Sequence, residues 1–270
     1  MTLTRSRLET ARSLLFVPGH RPDRFAKARS AGADAVIIDL EDAVAAQDKD
    51  SARAHVAAWL GEGRSAVVRI NAPGTPWCKA DLEVAARFNA PVMVPKSEDP
   101  AVLADVACRT AGKCLLLPLV ETAAGVERAT EVCATVGAVR VAFGNVDFSS
   151  QLGIGHDDHM ALTYARSRLV SASAAAGLYP PVDGVTTRVK DTDVLVADIE
   201  HARRLGFTGK LCIHPSQIAS AAAGFAPGEG EVEWARTVVA AGDSVSVIDG
   251  QMIDKPVLER ARRILAACAT

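Results

Sequence analysis

CLLLPLVETAAGVERATEVCATVGAVRVAFGNVD, residues 114–147, decides the fold. An apolar run from Cys114 ends on Glu121, an Ala-rich stretch follows, and a second apolar run from Arg140, RVAF, ends on Gly144 and Asp147. A short Leu-rich or β-branched run, a polar break and then a helical pattern make a βα unit. Working outward, the unit recurs. SLLFVP from Ser13, AVIID from Ala35, AVVRI from Ala66 and PVMVP from Pro91 precede it, and PPVDGV from Pro180 and KLCIH from Lys210 follow. Between them, DSARAHVAAWL (50–60) and DTDVLVADIEHARRL (191–205) have the apolar spacing and acidic first turns of amphipathic helices. Alternating units with continuously apolar strands predict a parallel sheet covered on both faces, and eight of them predict closure into an α/β fold, the (β/α)8 TIM barrel. Pro180 and Pro181 fit the seventh strand only at its start, because proline cannot donate to a central ladder.

The tail exceeds what a bare barrel needs. A Gly/Pro-rich break, FAPGEGE, leads to a helix through Trp234 to Ala241, a small patch SVSVIDGQMID and a last helix from Pro256. The expected division is a barrel catalytic domain over 1–224 and a short C-terminal helical extension over 225–270. At 270 residues, 49% hydrophobic, the chain has the length of a single large barrel. With 30 basic and 32 acidic residues interspersed, the net charge of −2 provides no field for nucleic acid or an anionic membrane. Six scattered cysteines without a CxxC pair suggest neither a disulfide framework nor a zinc site, and a cytoplasmic setting is expected. The longest apolar run is broken by Pro118, so no bilayer span is expected.

In a parallel barrel the site forms at the C-terminal ends of the strands. Here those ends read Pro18-Gly19-His20, Asp39 with Glu41 and Asp42, Arg69 with Asn71, Lys96, Glu121, Asp147, Asp183 and His214. Charge so close to a core is costly unless paired or bound to a metal, which favours a shared polar site, although each residue alone also fits a rim ion pair. Glu121 and Asp147 end consecutive strands. Two hard carboxylates on neighbouring lips suit magnesium, whereas the bland alternatives are a helix N-terminal acid and a turn residue. Arg69 cannot lose its charge and needs Glu41 or a substrate oxyanion as partner. Gly144, Asn145 and Val146 are placed to offer backbone amides to a substrate carboxylate, with a tight turn as the alternative.

A competing metal reading is GHDDH, where His156 and His159 would share one helical face, but acids there also suit a helix start. No GxxxxGK loop, no GxGxxG after the first strand and no GxSxG elbow appears, which disfavours nucleotide hydrolysis, dinucleotide redox chemistry and serine hydrolysis.

RSLLFVPG, DLEDAV, VRIN, PK, ETAAG, FGNVD, GKLCIHPSQ and GQMIDKP, in that order, resemble the citrate lyase β-subunit-like branch of the HpcH/HpaI aldolase family over nearly the whole chain. The resemblance implies a Mg2+-dependent carbon–carbon lyase that cleaves or forms 3-hydroxyacyl-CoA thioesters such as citryl-, malyl- or citramalyl-CoA. It implies a trimer or hexamer, with acetyl-CoA or a related thioester and a small oxo acid as the other reactants. Glu121 and Asp147 match the metal ligands. Arg69 matches the arginine that offsets enolate charge, and Asp39 and Glu41 match acids that organise the site. Asp254 matches a tail aspartate serving as acid/base, commonly at the mouth of a neighbouring subunit; a helix cap is the other reading of that residue. Phe16, Pro18, His20, Arg21 and Arg24 match the region that receives coenzyme A. The alternatives are the β subunit of a citrate lyase complex acting on a carrier-protein thioester, an aldolase using free pyruvate, and a noncatalytic acyl-CoA-binding module.

Overall fold

The computed structural model describes residues 3–241, 246–248 and 251–268. Eight parallel strands close on themselves: β1 (Ser13–Pro18), β2 (Ala35–Asp39), β3 (Val67–Arg69), β4 (Val92–Val94), β5 (Leu116–Val120), β6 (Ala142–Phe143), β7 (Val182–Asp183) and β8 (Gly209–Cys212). β8 pairs back with β1 through Ser13↔Lys210, Leu14↔Leu211 and Leu15↔Cys212, which leaves no sheet edge. The predicted runs all form strands. Pro180 and Pro181 precede β7, where no N–H is asked of them.

Successive side chains of a strand alternate between faces, so each strand sends one row into the barrel and one toward the helices. Leu14, Ile37, Val67, Met93, Leu119, Ala142, Val182 and Leu211 pack in one buried interior cluster. Two residues on, the same rows continue as Phe16, Asp39, Arg69 and Glu121. Apolar residues thus fill the middle of the barrel, and the next layer toward the C-terminal end is polar.

At the opposite end Arg140, fully buried, closes the barrel floor. Its guanidinium donates to the carbonyls of Ala11 and Pro180 and to Thr208 Oγ1, the last at 2.7 Å. These acceptors come from segments just before β1, β7 and β8. One five-donor head therefore satisfies polar groups that the closing chain leaves inside.

The helical layer follows the predicted pattern. Lys49–Gly61 buries Ala52, Val56, Trp59 and Leu60, and Thr192–Leu205 is capped by Asp191, whose carboxylate accepts from Val194 N at 3.2 Å. Asp183 corrects the simple strand-end picture. Its neighbour Val182 belongs to the interior cluster, so Asp183 faces outward, where it accepts from Arg166 Nε at 2.8 Å and Lys210 Nζ at 3.0 Å. It belongs to the layer between strands and helices, and the two cations hold its pKa down against the opposing effect of burial.

The chain divides into two compact units, Met1–Gly224 and Phe225–Thr270. In the second, Glu229–Ala240 and Lys255–Cys268 pack through Ala235, Val238, Ile253, Leu258 and Ala261, with β9 (Ser246–Ile248) and β10 (Gln251–Ile253) antiparallel between them in sequence. Among the described residues no helix is long and apolar enough to cross a membrane.

Candidate active site

β2 and β3 are in register with Asp39 opposite Arg69. Because both belong to interior rows, their side chains meet at the barrel mouth. Arg69 donates from Nε and Nη2 to the two Asp39 oxygens, each at 2.7 Å, and its guanidinium lies 4.9 Å from the Phe16 ring centroid. This two-pronged pair fixes the plane of the guanidinium. Asp39 also accepts from the amides of Glu41 at 2.8 Å and Ala43 at 3.1 Å, so the loop after β2 wraps around the same carboxylate. Burial alone would lower the Arg69 pKa, but the bonds to Asp39 and the charges of Asp39, Glu41 and Glu121 raise it, and the cation is permanent.

Glu41 and Glu121 are the other buried acids of this layer, at 5% and 2% exposure. Arg69 Nη1 stands 3.2 Å from one Glu41 oxygen and Lys96 Nζ 3.5 Å from the other, yet neither oxygen receives a hydrogen bond of acceptable geometry. Burial pushes the Glu41 carboxyl up to about 7, against the pull of Arg69. Glu121 accepts from Lys96 N at 2.7 Å, and burial together with the charge of Glu41 pushes it up to about 8. Asp147, exposed in the first turn of the helix Asn145–Leu152, adds to that repulsion. Buried carboxylates held above their ordinary range lack positive charge, and a divalent cation would supply it. Among the described residues no group of three or more His, Cys, Asp or Glu has metal-holding geometry. A two-carboxylate site of the magnesium kind, completed by water and substrate, fits that arrangement.

A raised carboxyl pKa stabilises the fold fully only below the unfolded value, and that contribution is lost as pH rises through the folded value. For Glu41 and Glu121 the window runs from the ordinary carboxylate range to about 7 and about 8. Melting temperatures measured with chelator should therefore fall across this window, and added Mg2+ should raise them increasingly over the same range. A magnesium shift independent of pH would contradict this charge balance.

Gly144 sits against Glu121. A Cβ on Gly144 would lie 2.3 Å from Glu121 Cβ and 2.7 Å from its Oε2, so only glycine lets the carboxylate stand where it does. Gly144→Ala should weaken Mg2+ binding by ~10–100-fold, the usual cost of disturbing a ligand's support. Titration calorimetry would read it, and unchanged affinity would mean that Glu121 is free to move.

One expectation about this loop needs correction. The Gly144 amide is spent on Val120 O at 2.9 Å and is not available to a substrate. The Asn145 side chain is equally engaged, donating to His156 O and Val185 O and accepting from Val185 N at 2.8 Å. The backbone amides of Asn145, Val146 and Asp147 do open the helix, and first-turn amides have no intrahelical acceptor.

GHDDH is not a metal site. His156 Nε2 meets Thr187 Oγ1 at 2.8 Å, while His159 Nε2 meets Asp198 at 2.7 Å and stacks on His201 with centroids 4.3 Å apart. Asp158 caps the helix His159–Ala175 and Asp157 pairs with Arg188 at 3.5 Å. His214 bonds Ser216 in its own turn.

Phe16 and Pro18 end β1, His20 and Arg21 follow on the loop, and Arg24 closes the 3-10 turn Pro22–Arg24. Arg21 pairs with Asp23 at 2.9 and 2.8 Å, Arg24 is exposed, and His20 Nδ1 is buried without a partner. Asp254 lies in the second unit. It caps Lys255–Cys268 by accepting from Val257 N at 3.2 Å. Most of its predecessors in GQMID lie outside the residues whose side chains are described.

Lys96 was expected at the rim without a role, and Lys49 was missed as part of the site. Lys96 has a left-handed backbone, φ 49°, that turns its amide onto Glu121, a conformation that PK does not announce. Lys49 did leave a signal, since it falls in phase with the apolar positions Ala52, Val56 and Trp59.

The model of the family HpcH/HpaI aldolase/citrate lyase matches residues 12–215. A citrate lyase subunit beta-like protein of Deinococcus radiodurans is 37% identical, covering 94% of this chain and 96% of that one. A (3S)-malyl-CoA thioesterase of Cereibacter sphaeroides is 36% identical, covering 94% and 93%. Among solved structures, CitE of Mycobacterium tuberculosis in complex with magnesium, acetoacetate and coenzyme A superposes with a TM-score of 0.82 at 35% identity, covering 96% of this chain and 98% of that one. A citrate lyase beta subunit from M. tuberculosis complexed with oxaloacetate and magnesium gives 0.73 at 34% identity, covering 82% and 100%. The match over residues 12–215, together with relatives of this identity aligned along nearly their full length, establishes that the chain belongs to the HpcH/HpaI aldolase/citrate lyase family.

Proposed function

We propose that the chain is a magnesium-dependent carbon–carbon lyase that cleaves a 3-hydroxyacyl-CoA, of the citryl-, malyl- or citramalyl-CoA kind, into acetyl-CoA or a related thioester and an oxo acid. The observation that carries this reading is one interior layer in which the fixed cation of Arg69 stands beside two buried, cation-deficient carboxylates, Glu41 and Glu121. The magnesium in the solved relatives' complexes supports the choice of metal.

Glu121 and Asp147 would hold the magnesium, which supplies Lewis acidity to the oxygens of the departing oxo acid. The substrate hydroxyl gives its proton to water and becomes the carbonyl of the oxo acid, and the breaking carbon–carbon bond leaves its electron pair on the thioester fragment as an enolate. Arg69, held in plane by Asp39, offsets that charge with no reorganisation. Asp254 delivers the proton that turns the enolate into acetyl-CoA, reaching the mouth of a neighbouring copy in a trimer or hexamer. Phe16, Pro18, His20, Arg21 and Arg24 receive the coenzyme, with Arg21 exchanging Asp23 for a phosphate.

Citryl-, malyl-, citramalyl- and hydroxymethylglutaryl-CoA, offered with Mg2+ and read by mass spectrometry, test the reading. One of them should give the acyl-CoA and oxo-acid pair, and chelation should stop it. Free CoA with the intact hydroxy acid would instead assign hydrolysis, in line with the Cereibacter relative's name. Asp254→Asn should suppress exchange of the acetyl-CoA methyl protons with solvent; exchange at the parent rate would remove Asp254 from the mechanism.

A further inference from the structure

The helix Lys49–Gly61 begins beside the loop that leaves β2, and its buried face starts with a lysine. A buried ammonium is costly unless its donors are taken. Lys49 Nζ donates to Leu40 O at 2.8 Å and Glu41 O at 2.7 Å, and stands 5.5 Å from the Trp77 ring centroid. One turn on, Arg53 Nε donates to Asp81 at 2.7 Å, and the other Asp81 oxygen accepts from Asn71 N at 2.9 Å and Asn71 Nδ2 at 2.6 Å. A single helix face therefore grips the peptide after β2 directly and the peptide after β3 through Asp81.

The grip on β2 matters because of Glu41. Its carboxylate is held only by the ion pairs to Arg69 at 3.2 Å and Lys96 at 3.5 Å, without a hydrogen bond, so the backbone beneath it shares in setting where it stands. That backbone is tied by Leu40 N to Arg69 O at 2.9 Å, by Glu41 N to Asp39 Oδ1 at 2.8 Å, by Val44 N to Glu41 O at 2.9 Å, and by Lys49 to two carbonyls at once. Among these ties Lys49 alone comes from outside the strand ends and the loop itself, and it anchors the loop to a packed helix.

We propose that Lys49 is a positioning residue for the reaction: by holding the Leu40 and Glu41 carbonyls it fixes the Glu41 carboxylate and, through the Asp39 bonds to the same loop, the Arg69 guanidinium. Its effect on turnover rests on the lyase reading, while its effect on the loop does not.

Lys49→Met keeps the apolar stem and removes the donors, and Lys49→Arg keeps donors. Amide hydrogen exchange and steady-state kinetics on the substrate the parent cleaves read both. In K49M the amides of Glu41, Ala43 and Val44 should exchange at least ~10-fold faster while β5 is unchanged, and kcat should fall ~10–100-fold with KM within ~3-fold, as for lost outer support of a site. K49R should return both readouts most of the way. If K49M does not fold, Lys49→Gln, which retains one donor group, is read in the same way. Unchanged loop exchange, faster exchange with unchanged kcat, or K49R behaving like K49M would each overturn the proposal. Should the parent cleave none of the thioesters, the lyase reading falls, and the exchange rates alone decide whether Lys49 holds the loop.

Discussion

Glu121→Gln is expected to lower Mg2+-dependent turnover by about a thousandfold, since losing metal-assisted charge stabilisation removes several kcal/mol and each 1.4 kcal/mol is tenfold. Glutamine retains the shape and a carbonyl oxygen to accept from the Lys96 amide, which now lies 2.7 Å from Glu121 Oε1. What it removes is the charge. Without a cation Glu121, pushed up to about 8, is already mostly protonated at neutral pH, so the metal-free variant should melt at or above the parent temperature. Asp147→Asn, at an exposed position, should likewise leave the fold intact and weaken Mg2+ binding. Calorimetric titration with Mg2+ and turnover on the cleaved thioester check both variants. Near-parent activity in both would sink the metal assignment.

Asp183→Ala is expected to destabilise the barrel by about 3–5 kcal/mol, the usual cost of removing one partner from a buried ion pair. Asp183 is fully buried between the cations of Arg166, 2% exposed, and Lys210, 1% exposed, and one Arg166 nitrogen already lacks a partner. Removing the acid strands two charges in an apolar layer. The same reasoning gives a control: replacing the whole group by apolar residues of similar volume, D183L with R166M and K210M, should recover most of the loss, because no uncompensated charge is left. Urea unfolding followed by circular dichroism would measure both. A single variant within about 1 kcal/mol of the parent would show that water or a rearranged side chain satisfies the cations.

The two variants separate what could be read along the chain from what could not. Glu121 ends a run that is apolar on both faces, so the pattern along the chain put it at a strand end, and the structure places it in the interior row with Leu117 and Leu119. Asp183 also ends an apolar run and looked equivalent. One residue of register separates the cases, since Val182 takes the interior place and turns Asp183 to the helices. In a strand of only two residues the alternation is too short to read. GHDDH failed for another reason: Asp158 caps its own helix, as an acid at a helix start can, while His159 pairs with Asp198 on the next helix, a partner invisible until the helices pack.

By itself the sequence determined the (β/α)8 architecture and its polar rim, because hydrophobic periodicity and helix start signals are local and each βα unit repeats them. It also carried the family resemblance that pointed to Glu121, Asp147 and Arg69. Only the tertiary structure decided how these residues are held. Asp39 grips Arg69 because β2 and β3 pair in one register, Gly144 leaves room for Glu121, and Lys49 reaches back from a helix to the Glu41 loop. Those contacts, and the burial that pushes Glu41 and Glu121 upward, arise when closure brings distant segments into one layer from which water is excluded.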